Sequence, residues 1–141
     1  MNLKNSEYIL SETTHTKADG YSPLTLAFLG DGVYDLLVRE TLVNTANRPA
    51  GELNRRKVAM VNCKAQAEFA ELIMPSLSEK ELAAYKRGRN AAPKCTPKNG
   101  SVADYHRATG LECLFGYLYV NGERDRINEL FGLILHNADK K

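Results

Sequence analysis

Cysteine is scarce in this chain of 141 residues, and its three copies (Cys63, Cys95 and Cys113) are too far apart to form a CxxC pair. This spacing gives no support for a disulfide framework or a zinc site. Long apolar runs are also missing, since no segment reaches the roughly 18 to 20 apolar residues that a membrane-spanning helix needs. The N-terminal segment has no cationic start followed by an apolar stretch and a cleavage site. We therefore expect a cytoplasmic protein with no membrane partner.

Histidine is equally sparse, and His15, His106 and His136 are scattered along the chain. No Ser-His-Asp or Cys-His set can be assembled around them, so the sequence does not predict nucleophilic catalysis by a side chain. Sustained two-residue alternation and hairpin turns are missing as well, whereas apolar residues recur with a helical period. The sequence therefore predicts an all-α fold, and the length predicts one domain.

Positive charge is concentrated in one part of the chain. Residues 48–98 hold eleven Lys or Arg against five Asp or Glu, while the rest of the chain carries a net negative charge. Within this part, residues 83–103 contain no acid at all. Such a segment is suited to a polyanion, although a solvated basic loop is an equally good reading of the composition.

Helix boundaries follow from capping residues and prolines. Residues 1–21 lack sustained periodicity and are taken as an N-terminal arm, anchored by Tyr8, Ile9 and Leu10, before a domain over residues 22–141. Ser22 and Pro23 predict the start of a helix that runs to about Val43. One long helix or two abutting helices fit between Pro49 and Pro75, and Ser78 with Glu81 opens a further helix that Gly88 would close. Ser101 with Asp104 starts another helix, which ends near Asn121 and Gly122, and a final amphipathic helix follows.

Two acids stand where a helix would normally be apolar. Asp31 lies in the apolar stretch LTLAFLGDGVYDLL between Gly30 and Gly32, and Glu112 has only apolar, small or uncharged neighbours one turn away. A glycine inside a helix costs about 1 kcal/mol relative to alanine and usually has a packing reason. With Gly116 one turn after Glu112, we expect the two helices to cross closely and to bring two buried carboxylates together.

A pair of converging buried carboxylates must be protonated, paired with a cationic side chain or bound to a metal ion. Oxygen ligands in small number favour Mg²⁺, with Mn²⁺ as a possible substitute. The alternative is that Arg39, Arg55 or Arg107 neutralises the two acids. Asp35, on the same helix face as Asp31, is either a group that supports the site from outside or holds a water there, or an ordinary surface aspartate. The residues alone leave these alternatives open.

Three segments resemble the catalytic domain of ribonuclease III, in the order found in that family. They are LAFLGDGVYDLLV, ELNRRKVAMVNCKAQAEFAEL and TGLECLFGYLYV. Residues 28–31 resemble the family signature, and residues 111–116 resemble its second acidic block, which places the second glutamate on Glu112. The resemblance implies a helical bundle like the ribonuclease III endonuclease domain, with Asp31 and Glu112 as the catalytic residues that hold Mg²⁺.

The resemblance is to the mini-ribonuclease III subfamily in particular. The match covers roughly residues 22–135 of the 141, so we expect this chain to lack the double-stranded-RNA-binding domain that usually follows in the family. Residues 86–99 also resemble the RNA-contacting loop of that subfamily. Two acids of the larger enzymes are replaced, by Ala27 four residues before Asp31 and by Thr109 three residues before Glu112, which puts a two-metal mechanism in doubt.

The function implied is a Mg²⁺-dependent endoribonuclease that cleaves double-stranded RNA, in maturation of precursor 23S ribosomal RNA, with a ribosomal protein as a possible helper. The expected RNA contacts are Lys86, Arg87, Arg89, Lys94 and Lys98, together with Arg55, Arg56 and Lys64. A homodimer is implied too, with Leu26 and Phe28 at the interface, although each of these residues fits the protomer core equally well. The competing readings are a catalytically inactive RNA-binding or ribosome-assembly factor of the same fold, and a helical interaction protein that does not bind RNA.

Overall fold

The computed structural model describes residues 17–93 and 101–138, which form six α-helices and no strand. The helices are α1 (Pro23–Thr45), α2 (Ala50–Val61), α3 (Cys63–Ile73), α4 (Glu79–Ala91), α5 (Val102–Val120) and α6 (Arg124–Ala138). Two 3₁₀ turns, Ala18–Gly20 and Met74–Ser76, lie between them. The all-α prediction is confirmed. None of the helices in the described ranges is long and apolar enough to cross a membrane.

The predicted helix starts are found at the capping residues. The Ser22 side chain accepts a hydrogen bond from the amide of Thr25, and Pro23 occupies the first helical position, where it has no amide to lose. Asn62 ends α2 and caps α3, with its Oδ1 accepting from the Ala65 amide at 2.9 Å. Two abutting helices therefore occupy the segment between Pro49 and Pro75. At the other two predicted starts, Ser78 with Glu81 and Ser101 with Asp104 form capping boxes that open α4 and α5.

Gly88 does not end α4, contrary to the prediction. The helix continues to Ala91, and a Cβ atom on Gly88 would lie 2.3 Å from the Cβ of Cys113 on α5. The glycine therefore permits close packing of α4 on α5 instead of a left-handed turn. As a result Lys86, Arg87 and Arg89 lie on a helix and not on a loop.

Helix α5 is the centre of the domain, and α1, α3 and α4 pack around it. Leu111, Leu114, Phe115 and Leu118 are fully buried, and each such side chain stabilises the fold by roughly 1.5–3 kcal/mol. Tyr34 of α1 packs against Phe115, with ring centroids 5.7 Å apart. Its hydroxyl donates to the carbonyl of Met60 at 2.9 Å. These contacts fix α1 against both α2 and α5.

Part of the predicted N-terminal arm is packed onto the domain. Ala18, in the first 3₁₀ turn, is buried, and its amide donates to Oδ1 of Asn121 at the end of α5. Gly122 follows with φ of 74°, a left-handed conformation that ends α5 where the sequence predicted. The anchor residues expected at positions 8–10 lie outside the described residues.

Candidate active site

The crossing of α1 and α5 leaves no room for side chains at two glycines. A Cβ atom on Gly30 would lie 1.7 Å from the carbonyl oxygen of Glu112, and one on Gly116 would lie 1.9 Å from the carbonyl oxygen of Leu26. The two helix backbones are therefore in direct contact, as the sequence predicted. Gly32 has no part in this contact, because nothing lies within 4 Å of a Cβ built there.

This backbone contact brings the two unexplained acids together. Asp31 follows Gly30 directly, and Glu112 lies one turn before Gly116, so both acids flank the crossing. The Glu112 carboxyl group lies within hydrogen-bonding reach of the Asp31 carboxylate. Burial, the negative charge of Asp31 and this hydrogen bond together raise the pKa of Glu112 to about 8.

The pair is less buried than the sequence suggested. Asp31 is exposed and Glu112 is half-buried, whereas both were expected inside the core. The reason is that the glycines, and not the acids, occupy the tightest part of the crossing. Asp31 projects from its edge toward solvent. The pair is therefore open to a large polyanionic ligand while one of its members remains partly desolvated.

No arginine neutralises the pair in the described part of the chain. Arg39 pairs with Asp35 one turn away on α1, with Nε and Oδ2 at 2.5 Å. Arg107 lies 3.5 Å from Glu71 and 3.8 Å from Asp104. No ion pair between described residues includes Asp31 or Glu112. The neutralisation by Arg39, Arg55 or Arg107 that the residues alone left open is thus not found, and Asp35 is held by Arg39.

The sequence reasoning missed Gln66, the third polar side chain at this site. Gln66 lies on α3, is 3% exposed and lies within hydrogen-bonding reach of the Glu112 carboxylate, whose pKa it lowers. It shares the buried face of α3 with Phe69, Ala70 and Ile73. The sequence does show a polar residue on this otherwise apolar helix face. The same kind of pattern identifies Glu112 as a candidate site residue.

The chemistry of the donors fits a divalent cation. Two carboxylates that repel each other, one of them with a raised pKa, would both be stabilised in the charged form by a cation between them. Within the described ranges no group of three or more His, Cys, Asp and Glu side chains could hold a metal ion. A site with two carboxylates matches Mg²⁺, which keeps several waters and takes the remaining oxygens from a substrate phosphate.

The predicted RNA-binding residues are distributed over three helices. Lys86, Arg87, Arg55 and Lys64 are exposed and make no ion pair with another described residue. Arg56 is exposed but pairs with Glu52 at 3.1 Å, and Arg89 lies 5.8 Å from the centre of the Tyr85 ring. Lys94 and Lys98 lie outside the described residues.

The two side chains predicted at a dimer interface differ sharply in exposure. Leu26 is buried inside the protomer, with its backbone against Gly116, so this part of the prediction is wrong and Leu26 belongs to the core. Phe28 is 85% exposed on the outer face of α1. Leu29, Leu36 and Val43 are also exposed on this helix.

A bundle of helices around a central α5, with an acid pair at a glycine crossing, defines the class of protein. The family model for the ribonuclease III domain matches residues 24–123. The chain belongs to the ribonuclease III family and is an endoribonuclease, a hydrolase that acts on phosphodiester bonds of double-stranded RNA.

Curated relatives place the chain within the family. It is 41% identical over 131 residues to Mini-ribonuclease 3 of Thermoanaerobacter sp. (strain X514), covering 93% of this chain and 89% of that protein. It is 42% identical over 109 residues to Mini-ribonuclease 3 of Brevibacillus brevis, covering 77% and 81%. The X-ray crystal structure of protein FN1578 from Fusobacterium nucleatum matches with a TM-score of 0.80 and 29% identity over 87% of this chain and 99% of that one. The resemblance to mini-ribonuclease III is confirmed.

Proposed function

We propose that this endoribonuclease depends on Mg²⁺ held by Asp31 and Glu112, and that Mn²⁺ can replace it. The observation that carries this proposal is the acid pair at the crossing of α1 and α5, which no arginine among the described residues neutralises. A bound Mg²⁺ would polarise a phosphate oxygen and supply a water of lowered pKa. The protein then needs no side-chain nucleophile.

The two acids differ in what they contribute. Asp31 is exposed at the surface, where a phosphate can reach it. Burial and the charge of Asp31 raise the pKa of Glu112 to about 8, so near pH 7 and without a cation this carboxyl group is mostly protonated. Glu112 must therefore release its proton when the cation binds. The products of hydrolysis would carry 5′-phosphate and 3′-hydroxyl ends, as in the family.

Electrostatic contact with phosphates supplies most of the RNA affinity in this proposal. The exposed cations Lys86 and Arg87 of α4 and Arg55 of α2 are suited to this role because no other described residue pairs with them. The positive charge that attracts RNA also comes from Lys64, Lys94 and Lys98. Two further cations contribute to it, Arg56, which pairs with Glu52, and Arg89, which lies over the Tyr85 ring. Base sequence should matter little, since A-form duplexes present backbone and shape more readily than base edges.

The active form in this proposal is a homodimer joined through the outer face of α1. Phe28 is 85% exposed, and an interface that buries it would remove this large apolar side chain from water. A groove on α1 is lined by Leu29, Val33, Leu36 and Ile127, together with the charged residues Glu40 and Arg124, and a two-fold axis would place the partner's α1 over that groove. Sedimentation of Phe28→Ser should show a shift from dimer to monomer at micromolar concentration, and a wild-type monomer would contradict the dimer.

Precursor 23S ribosomal RNA is the proposed substrate, because the relatives are mini-ribonucleases III and the subfamily resemblance implies it. Such a substrate places the enzyme in the cytoplasm. Since base readout is weak, RNA architecture or a ribosomal protein would have to select the cleavage site. Incubation with precursor 23S RNA, alone and with ribosomal proteins, tests this part of the proposal.

The metal assignment is tested by Asp31→Asn, which keeps the shape of the side chain and removes its charge. With an end-labelled RNA duplex and Mg²⁺, we expect cleavage to fall by about 1,000-fold or more, because the metal's contribution is several kcal/mol. RNA affinity and fold should be retained. Asp125→Asn, on the exposed face of α6, is the matched control and should cleave at the wild-type rate. A folded Asp31→Asn enzyme with normal cleavage would refute the assignment.

The same assay separates the competing class. A catalytically inactive RNA-binding factor would bind the duplex with the same dependence on salt but would leave it intact with Mg²⁺ or Mn²⁺. The observation that favours an inactive RNA-binding factor is the replacement of two acids of the larger enzymes by Ala27 and Thr109. Both residues are buried, and the Thr109 hydroxyl donates to the carbonyl of Tyr105 within its own helix.

A further inference from the structure

Gln66 is a buried amide in an environment that would suit an apolar side chain. It is 3% exposed on the face of α3 that carries Phe69 and Ile73 into the core. Its Oε1 is buried and has no hydrogen-bond partner among the described residues. A buried acceptor without a partner destabilises a fold, and an apolar residue of similar shape would avoid that loss. Stability alone therefore does not explain the amide.

The contacts of the amide explain it better. Its Nε2 donates to the carbonyl of Val61, the last residue of α2, at 2.8 Å. The other contact is with the carboxylate of Glu112 on α5. Gln66 thus links Glu112 to the junction of α2 and α3. The Val61 carbonyl fixes the orientation of the Gln66 amide whether or not a cation is bound.

We propose that Gln66 is a positioning residue for Glu112, holding that carboxylate toward Asp31 through a hydrogen bond anchored on Val61. This inference rests on the proposed function, in which Glu112 is a metal ligand. Outer partners that orient metal ligands typically change metal affinity or activity by about 10- to 100-fold when they are removed. The unpaired Oε1 adds an acceptor for a hydrogen-bond donor at the same site.

The test uses Gln66→Met, which keeps the length of the side chain and removes both polar atoms, and Gln66→Leu as a second apolar variant. Binding of Mn²⁺ to the protein without RNA is measured by calorimetry, and the Mg²⁺ concentration for half-maximal cleavage is measured on an RNA duplex. We expect Mn²⁺ affinity to fall by about 10-fold or more and the Mg²⁺ midpoint to rise by a similar factor. The melting temperature without metal should be unchanged or higher.

Asn62→Ala is the control for a purely structural effect. Asn62 caps α3 one turn before Gln66, with its Nδ2 donating to the carbonyl of Val58, but it does not contact Glu112. This variant should melt at a lower temperature and bind Mn²⁺ as the wild type does. An unchanged Mn²⁺ affinity in both Gln66 variants, or an equal loss in Asn62→Ala, would overturn the inference.

The outcome also distinguishes failure of this inference from failure of the proposed function. If the wild-type protein neither binds Mn²⁺ nor cleaves with Mg²⁺, the proposed function fails and the inference fails with it. If the wild type does both and the Gln66 variants match it, only the positioning role of Gln66 is wrong.

Discussion

Glu112→Gln should stabilise the folded protein in the absence of metal. The folded state raises the pKa of Glu112 from its ordinary value of 4.5 to about 8. The folded protein therefore binds this proton more tightly than the unfolded chain does. It follows that the contribution of Glu112 to stability is fully present below about pH 4.5 and is lost as the pH rises toward 8.

The size of this loss follows from the interval between the two pKa values. Each pH unit in that interval changes the free energy of unfolding by about 1.4 kcal/mol. At pH 7 the upper limit is on the order of 3 kcal/mol. Because Asp31 is exposed and water screens part of the repulsion, we expect about 1–3 kcal/mol. A glutamine at position 112 removes the charge, and its amide can donate to the Asp31 carboxylate.

The assay is urea unfolding followed by circular dichroism in EDTA, at pH 5.5 and pH 8, with one fixed protein concentration. The advantage of Glu112→Gln over the wild type should be larger at pH 8 than at pH 5.5 by about 1 kcal/mol or more. Glu79→Gln, an exposed glutamate in the first turn of α4, is the matched control and should change stability by less than about 0.5 kcal/mol at either pH. Added Mg²⁺ should stabilise the wild type and not Glu112→Gln. A variant less stable than the wild type at pH 8, or an advantage independent of pH, would refute the reasoning.

Three further predictions concern packing, a buried ion pair and RNA affinity. Gly116→Ala should cost more than about 3 kcal/mol in urea unfolding, because its methyl group meets the Leu26 backbone, whereas Gly132→Ala, in open space on α6, should gain roughly 0.5–1 kcal/mol. Arg126→Met should cost about 2–3 kcal/mol at pH 7, since it removes the guanidinium that lies 2.8 Å from buried Glu81. The Arg126 guanidinium lowers the pKa of Glu81, so the loss should begin to shrink as the pH falls below 4.5, where the unfolded chain takes up its proton, and should continue to shrink until folded Glu81 is protonated too; an equal loss at about pH 3 would contradict this role. Arg87→Ala should reduce the salt dependence of duplex RNA binding by about one phosphate contact, measured by filter binding from 50 to 200 mM salt, and an unchanged slope would exclude a phosphate contact.

The helix pattern was predictable because its signals are local. Ser22, Ser78 and Ser101 cap their helices through contacts three residues away, which a sequence displays directly. The crossing of α1 and α5 was also predictable, because glycines within apolar helices are costly and require a packing reason. In both cases the physical cause lies in a few neighbouring residues.

Other features depended on contacts that sequence separation conceals. The sequence predicts a helix end at Gly88 because nothing in its neighbourhood reveals that Cys113 packs over it. The sequence places Leu26 at the dimer interface or in the core without deciding between them, and the crossing of α1 and α5 is what covers it. Asp31 was expected in the core because its neighbours are apolar, yet a helix crossing buries the residues at its centre and leaves those at its edge exposed. Gln66 was missed because its partner lies on another helix.

The central claim is that Asp31 and Glu112 together hold a divalent cation. Anomalous diffraction from crystals soaked in Mn²⁺ tests it most directly, because the ion's position is located independently of any activity. We expect a peak between the two carboxylates, within coordination distance of an oxygen from each. A peak elsewhere with none at this pair, or an acid pair that stays free of Mn²⁺ under conditions that support cleavage, would contradict the claim.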